Sequence, residues 1–303
     1  MIVTGKKFSK PAMSRVINGD VVLETATEKP EKFRLDHLLV EQHPEYNRST
    51  LQILIKDGHV TVDGAVVTKP NTQLEKSVRI TLSVPTKTPP KATVSPTVIY
   101  EDTHVKVLDK PSGLLSMSKG EFCPEPTLED FGLLVHRLDR DTSGVVILAK
   151  DEATQSMLRR QFQERKAHKV YYAVVAGRPK LDEAKIDLPI ARNYNQHSTF
   201  MVDPGGRESI TFYKVLKTNG DFSLLELKPI TGRTHQLRVH LQYLGTPIVG
   251  DRVYGADKAP ASRLMLHAHE LEITIPGATA ADANIRKTFS APVPPEFYQL
   301  VEG

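Results

Sequence analysis

The stretch that decides the fold is Leu133-Leu134-Val135-His136-Arg137-Leu138-Asp139-Arg140-Asp141-Thr142-Ser143-Gly144-Val145-Val146-Ile147-Leu148-Ala149. Two short apolar runs, 133–135 and 145–149, enclose a polar segment in which Thr142, Ser143 and Gly144 carry turn chemistry, so the pattern predicts strand, loop, strand. A loop held between two buried strands is where a rigid scaffold presents a reactive group. This one presents the carboxylate of Asp139 between Arg137 and Arg140, a setting that suits a nucleophile or a base better than an acid. Asp, Thr and Ser ahead of an apolar run can also do no more than close a turn or cap a helix. The rest of the chain decides between the two.

Composition narrows the field. A chain of 303 residues accommodates one large and one small domain, each with its own core. Its single cysteine, Cys123, rules out a disulfide framework and a multi-cysteine metal cluster, and fits a reducing compartment. The first thirty residues hold no apolar run of signal-peptide length and no later run is long enough to span a membrane, so a cytoplasmic location is expected. The net charge of +4 is compatible with a polyanionic partner. Arg159, Arg160, Arg165, Lys166 and Lys169 crowd one short stretch, which reads either as a solvated helix face or as a track for nucleic-acid backbone.

Upstream of the central stretch, residues 1–20 are polar and aperiodic and read as a loose extension. A small unit is placed at 21–83. Leu35, Leu38 and Leu39 have helical spacing, as do Leu51, Leu54 and Ile55 behind a cap at Asn47 or Ser49. Val60 and Val62 then alternate with polar residues up to Asp63-Gly64, a hairpin turn, and Ile80 and Leu82 close the sheet. Residues 84–96, with Pro85, Pro89, Pro90 and Pro96 among polar residues, form a semi-rigid linker. The larger domain occupies 97–303. It has strands at 98–100, 105–108, 170–176, 210–216, 222–227 and 264–273, and helices from Asp151 and over 235–244. Hairpin links such as Asn219-Gly220 and few helices argue for α+β, not a doubly wound sheet.

Three segments could carry chemistry: the Asp139 loop, Lys169-Val170-Tyr171, and Gly232-Arg233-Thr234-His235-Gln236-Leu237-Arg238. His235 and His240, five apart on a helix, do not converge on one metal, and His267 and His269 point to opposite faces of a strand. The pair Asp139-Arg140-Asp141 superficially matches the paired aspartates of haloacid-dehalogenase-type phosphotransferases, but His136-Arg137 interrupts the apolar strand those enzymes require.

Taken together and in order, the segments resemble the RluA-type pseudouridine synthases. The likeness rests on Lys110-Pro111-Ser112-Gly113, the whole of 136–144, Lys169-Val170-Tyr171, Thr231 to His240, Gly245-Thr246-Pro247-Ile248-Val249-Gly250-Asp251, Tyr254-Gly255 and Arg263 to Ala268. It covers about residues 97–300. The small unit, through Arg34-Leu35-Asp36, Arg48-Ser49 and Leu54 to Gly64, resembles the RNA-binding domain of ribosomal small-subunit protein S-four, found in the large-ribosomal-subunit branch of that family. The usual Val-Asn-Gly turn is here Val62-Asp63-Gly64, and acids and bases balance over 33–83.

The resemblance implies the pseudouridine synthase fold, with a mixed, mostly antiparallel sheet, flanking helices and the small α+β RNA-binding domain. It implies an isomerase that turns uridine in RNA, most often large-subunit rRNA, into pseudouridine without cofactor or metal. Asp139 is then the catalytic carboxylate, Arg233 its ionic partner, and Tyr171 the ring that stacks on a flipped-out uracil and assists in removing its C5 proton. Arg137 is expected beside the space the base vacates, and Arg48, Lys56, Arg160, Arg165, Lys166, Lys169 and Arg238 along the RNA backbone. The expected partner is RNA, rRNA or alternatively tRNA, with no DNA and no membrane, bound by a monomer. A different class of reading is an idle RNA-binding assembly factor on the same scaffold.

Overall fold

The chain divides into two units, Met1–Thr86 and Lys87–Gly303. The computed structural model describes residues 14–17, 20–23, 31–84, 95–118, 125–196, 198–255, 261–277 and 283–302. Cys123 and linker residues 85–94 lie outside them.

The first unit contains β1 (Ser14–Ile17), β2 (Asp20–Leu23), β3 (Lys32–Arg34), α1 (Leu35–Gln42), α2 (Arg48–Lys56), β4 (Val60–Val62), β5 (Ala65–Val66), β6 (Gln73–Glu75) and β7 (Ile80–Leu82). Both predicted helices are present. Asn47 caps α2 by accepting the Thr50 N–H at 2.9 Å, and Leu35, Leu38, Leu39, Leu51, Leu54 and Ile55 are buried between the helices. At roughly 1.5–3 kcal/mol for each buried aliphatic side chain, this small core accounts for the pairing. Asp63 (φ 49°) and Gly64 (φ 85°) both adopt the left-handed backbone of the tight hairpin turn, and β4 pairs with β5 and β7. The loose extension expected up to residue 20 contains β1, which pairs with β2 from Ser14↔Leu23 to Ile17↔Asp20.

The second unit runs β8 (Thr97–Glu101), β9 (Val105–Lys110), β10 (Leu133–Leu134), β11 (Ser143–Ala149), α3 (Glu152–Gln163), β12 (His168–Ala176), β13 (Glu183–Asp187), β14 (Ile190–Arg192), β15 (Phe200–Val202), β16 (Ile210–Thr218), β17 (Phe222–Pro229), α4 (Gln236–Tyr243), β18 (Leu266–Ile275), β19 (Ile285–Ser290) and α5 (Pro295–Gln299). A sheet in the order β13-β16-β17-β12-β18-β11-β9-β8, with β10 on β11 and β19 on β18, forms its backbone. Every pairing is antiparallel except β11 with β18. The class is therefore α+β.

β11 is buried at every position, as its unbroken apolar run predicts. Its alternate residues serve two cores. Val145, Ile147 and Ala149 pack with Leu158 of α3, Ile273 and Phe289. Val146 and Leu148 pack on the other face with Leu108, Leu128 and Leu138. The parallel contact of β11 with β18 covers only Ser143↔His267 and Gly144↔Ala268. A Cβ on Gly144 (φ 113°) would meet the Ala268 carbonyl oxygen at 2.1 Å, so only glycine allows this approach. The close contact sets the Asp139 loop beside β18, and β12 lies on the far side of that strand. Among the described residues no helix is long and apolar enough to cross a membrane.

Candidate active site

The loop between β10 and β11 is held almost entirely by the segment that follows β9. Lys110, fully buried at the end of β9, donates from Nζ to the carbonyl oxygens of Pro111 (2.9 Å), Leu114 (2.8 Å) and Arg140 (2.8 Å). Burial draws its pKa down to about 7, against the opposing pull of the Asp141 and Asp139 charges. Around it, Gly113 N–H donates to Arg140 O, Ser112 Oγ to Asp141 O, and Ser116 Oγ to Leu138 O at 2.7 Å while accepting the Leu138 N–H. Asp139 begins the tight turn closed by Thr142 N–H on Asp139 O (3.1 Å).

From the other side, Ser143 Oγ lies 2.8 Å from His267 Nδ1 and receives a hydrogen bond from Arg263 Nη2. Because His267 Nε2 faces the carbonyl of Ala291, Nε2 carries the proton and Nδ1 accepts from Ser143. Loss of solvation brings the His267 pKa down to about 4, which keeps it neutral. Lys110 and His267 went unassigned in the sequence because a lysine is rarely buried and a histidine on a strand reads as ordinary packing.

Asp139 is one-fifth exposed, and its Oδ2 accepts from Arg238 Nη1 at 3.2 Å. Arg238 is in turn gripped by Asp251, which takes Nε at 2.7 Å and Nη2 at 2.9 Å in a fully buried two-point pair. Asp251 also accepts the N–H groups of Val253 and Tyr254, and the Arg238 guanidinium lies 5.1 Å above the Tyr254 ring. Burial would raise the Asp251 pKa, but these bonds hold it below the ordinary value; they also raise that of Arg238 above its usual range.

Arg233 was expected to be the partner of Asp139, and the structure corrects this. Arg233 precedes α4 and turns its Nε to the Glu208 carbonyl at 3.0 Å, whereas Arg238 lies inside α4 on the side that meets the loop. The expected role of Arg238 on the RNA backbone is corrected at the same time, since its guanidinium is buried between two carboxylates.

A cavity of about 200 Å³ is lined by Asp139, Arg238, Tyr171, His235, Arg137, Lys169 and Arg233 among others. The three segments singled out in the sequence thus meet around one space. Tyr171 enters from β12 at a bulge between Val170 and Tyr171. Burial, then the Asp139 charge, pushes its phenol well above the usual range, so it stays protonated. His235, in the left-handed conformation (φ 57°) that turns the chain into α4, places Nε2 3.9 Å from Asp139 Oδ2 and Nδ1 2.8 Å from Tyr254 Oη. Loss of solvation outweighs the Asp139 charge and lowers its pKa.

The residues expected along RNA fall into two groups. Arg160 and Lys166 share Glu164, Arg165 pairs with Glu208 at 2.6 Å, and Arg48 is tied to Asp36. Lys56 is exposed in the last turn of α2. The side chains of Arg137 and Lys169, by contrast, line the cavity with no hydrogen bond or ion pair among the described residues.

Comparison with known proteins identifies the family. A family model described as RNA pseudouridylate synthase matches residues 104–243, and one described as S4 domain matches 33–80. An RNA pseudouridine synthase of Aquifex aeolicus is 36% identical over 81% of this chain and 84% of its own length. Ribosomal large subunit pseudouridine synthase D of Xanthomonas campestris is 35% identical over 89% of this chain and 88% of its own. The dual-specificity RNA pseudouridine synthase RluA of Vibrio cholerae is 42% identical over 57% and 75%. Among solved structures, human RNA pseudouridylate synthase domain containing 1 superposes with a TM-score of 0.56 at 28% identity, over 67% of this chain and 86% of that one.

The class is thereby fixed as RNA pseudouridine synthase, an isomerase acting on RNA. The chain belongs to the RluA-type family of these enzymes and carries the S4 domain ahead of the catalytic domain.

Proposed function

We propose that this enzyme isomerises uridines of large-subunit rRNA, acting with Asp139 on a nucleotide flipped out of its stack into the cavity. The observation that carries the reading is the Asp139–Arg238–Asp251 chain at the cavity wall: one carboxylate oxygen is oriented and the other has no hydrogen bond among the described residues. In the reaction the bond from N1 of uracil to C1′ of ribose breaks, the base turns, C5 bonds to C1′, the C5 proton is lost, and N1 takes up a proton, so the product is an isomer. Asp139 meets the ribose either as nucleophile at C1′ or as the base that deprotonates it; both routes require a free, aimed carboxylate oxygen.

Tyr171, kept protonated by its surroundings, is suited to packing against the uracil and poorly suited to taking the C5 proton. Neutral His235 and Asp139 are the two groups at the cavity wall placed to accept it. The rRNA assignment draws on relatives named ribosomal large subunit pseudouridine synthase D; tRNA, the alternative substrate that the sequence likeness left open, is the second reading. Mapping pseudouridine in total RNA from cells with and without this protein tests both. Sites lost from large-subunit rRNA support the proposal, sites lost only from tRNA move it to the second reading, and an unchanged map contradicts it.

A further inference from the structure

We infer that Arg137, Lys169 and Arg233 form a subsite for one phosphodiester of the RNA, next to the uridine held at Asp139. This rests on the chain acting on RNA as a pseudouridine synthase. A second cavity of about 370 Å³ adjoins the first and shares with it Arg137, Lys169, Tyr171, Thr231, Gly232 and Arg233. Beyond these it is lined by His136, Phe162, Gln163, Arg165 and Ile230. Its wall therefore carries Arg137, Arg165, Lys169 and Arg233, a neutral His136, and no carboxylate. Tyr171 belongs to both spaces, so a base on the Asp139 side leaves its backbone on the side of the cations.

The charges are also unequal in their partners. Arg165 is neutralised by a two-point pair with Glu208, at 3.2 and 2.6 Å, and Arg160 and Lys166 divide Glu164 between them. Lys169 is half-buried and its side chain makes no hydrogen bond or ion pair among the described residues, and the Arg137 side chain likewise makes none. The Arg233 side chain makes one bond, to the Glu208 carbonyl, and its outer nitrogens have no partner among the described residues.

Holding an ammonium partly away from water with no anion beside it is unfavourable, which leaves it suited to taking one. That strain shows in the Lys169 pKa, lowered by burial to about 8. Arg233 is lowered by burial and then by the like charges of Arg207 and Arg165. An uncharged uracil carbonyl cannot balance this cluster. A phosphodiester brings a full charge and paired oxygens that suit a guanidinium fork, and RNA supplies one at every nucleotide.

The test uses the full chain and C5-tritiated total RNA from cells lacking this protein, with tritium release measured across a potassium chloride series. Lys169→Gln and Arg233→Gln each raise KM about tenfold and leave kcat within about threefold. Each also lowers the slope of log KM against log salt by about 0.7–0.9, the signature of one lost phosphate contact. Lys169→Arg retains the wild-type slope, as do Arg160→Gln and Lys166→Gln, whose charges are already paired. Arg233→Gln keeps the test open if Lys169→Gln fails to fold.

Variants that keep the wild-type salt slope, or that lose kcat at unchanged KM, would overturn the subsite while the enzyme remains active. Absence of tritium release from the wild type is a different result: it would overturn the RNA-modification reading and this inference with it.

Discussion

Asp36 and Asp139, one carboxylate from each unit, are both met by arginine and are treated in opposite ways. Asp36 in α1 is fully buried and saturated: Arg34 donates two hydrogen bonds, Arg48 two and Gln52 one, all between 2.7 and 3.1 Å. Burial alone would raise its pKa, and these donors instead hold it well below the usual carboxylate range. Asp139 has one arginine contact at 3.2 Å and stands one-fifth exposed at a cavity wall. Its arginine is fixed from behind by Asp251, so the carboxylate is aimed without being used up. A carboxylate with every acceptor filled ties a helix pair together; one held on a single side can react.

The sharpest way to break this contrast is to remove the aiming device. Arg238→Met is expected to lower the tritium-release rate by about a thousandfold, because the carboxylate loses orientation and Asp251 is left as an unpaired buried charge. Arg233→Gln, measured beside it, keeps kcat within about threefold. If the two swapped, the pairing derived for Asp139 would be wrong. Next in size is the structural carboxylate: Asp36→Asn costs the small unit about 3 kcal/mol in denaturant unfolding and leaves kcat of the folded enzyme unchanged.

A smaller loss is expected at Lys110. Replacing it by Met strands the carbonyls of Pro111 and Leu114 and leaves that of Arg140 with the Gly113 N–H alone, removing about 2 kcal/mol of stability and loosening the Asp139 loop. Protease sensitivity of the 136–144 segment, together with kcat, reads that effect.

The mildest effect is with pH. His136, whose Nε2 accepts the Ile147 N–H at 3.1 Å, is brought to about 3 by loss of solvation, and His267 to about 4. Below about 6.5 the unfolded chain binds protons at both sites and the folded chain does not, so stability is present in full above that pH and is lost as pH falls from 6.5 toward 4. About 1 kcal/mol per histidine by pH 5.5 is expected, read as a falling denaturation midpoint, and His267→Asn should flatten the slope.

How much of this was legible follows from what each residue depends on. The strand–loop–strand around Asp139 and the turns at Asp63-Gly64 and Asn219-Gly220 are written in local contrast between apolar and turn-forming residues, and they appear where expected. The meeting of Asp139, Tyr171 and the 231–238 segment was legible only through the family likeness, since nothing local links positions so far apart. The choice between Arg233 and Arg238 depends on the direction α4 takes after the left-handed His235, a backbone feature that neither charge nor spacing displays. Lys110 stands in the sequence only as part of the Lys110-Pro111-Ser112-Gly113 run; its burial is visible only with the carbonyls of residues 111, 114 and 140 arranged around it.

The central claim is that the Asp139 carboxylate reacts and is not merely a turn residue. The direct measurement is single-turnover tritium release by Asp139→Asn on C5-labelled RNA, with RNA affinity and unfolding followed on the same preparation. The account predicts that release disappears while affinity and fold stay near wild type, because asparagine preserves the shape and the turn but removes the charge. Release at close to the wild-type rate would contradict it.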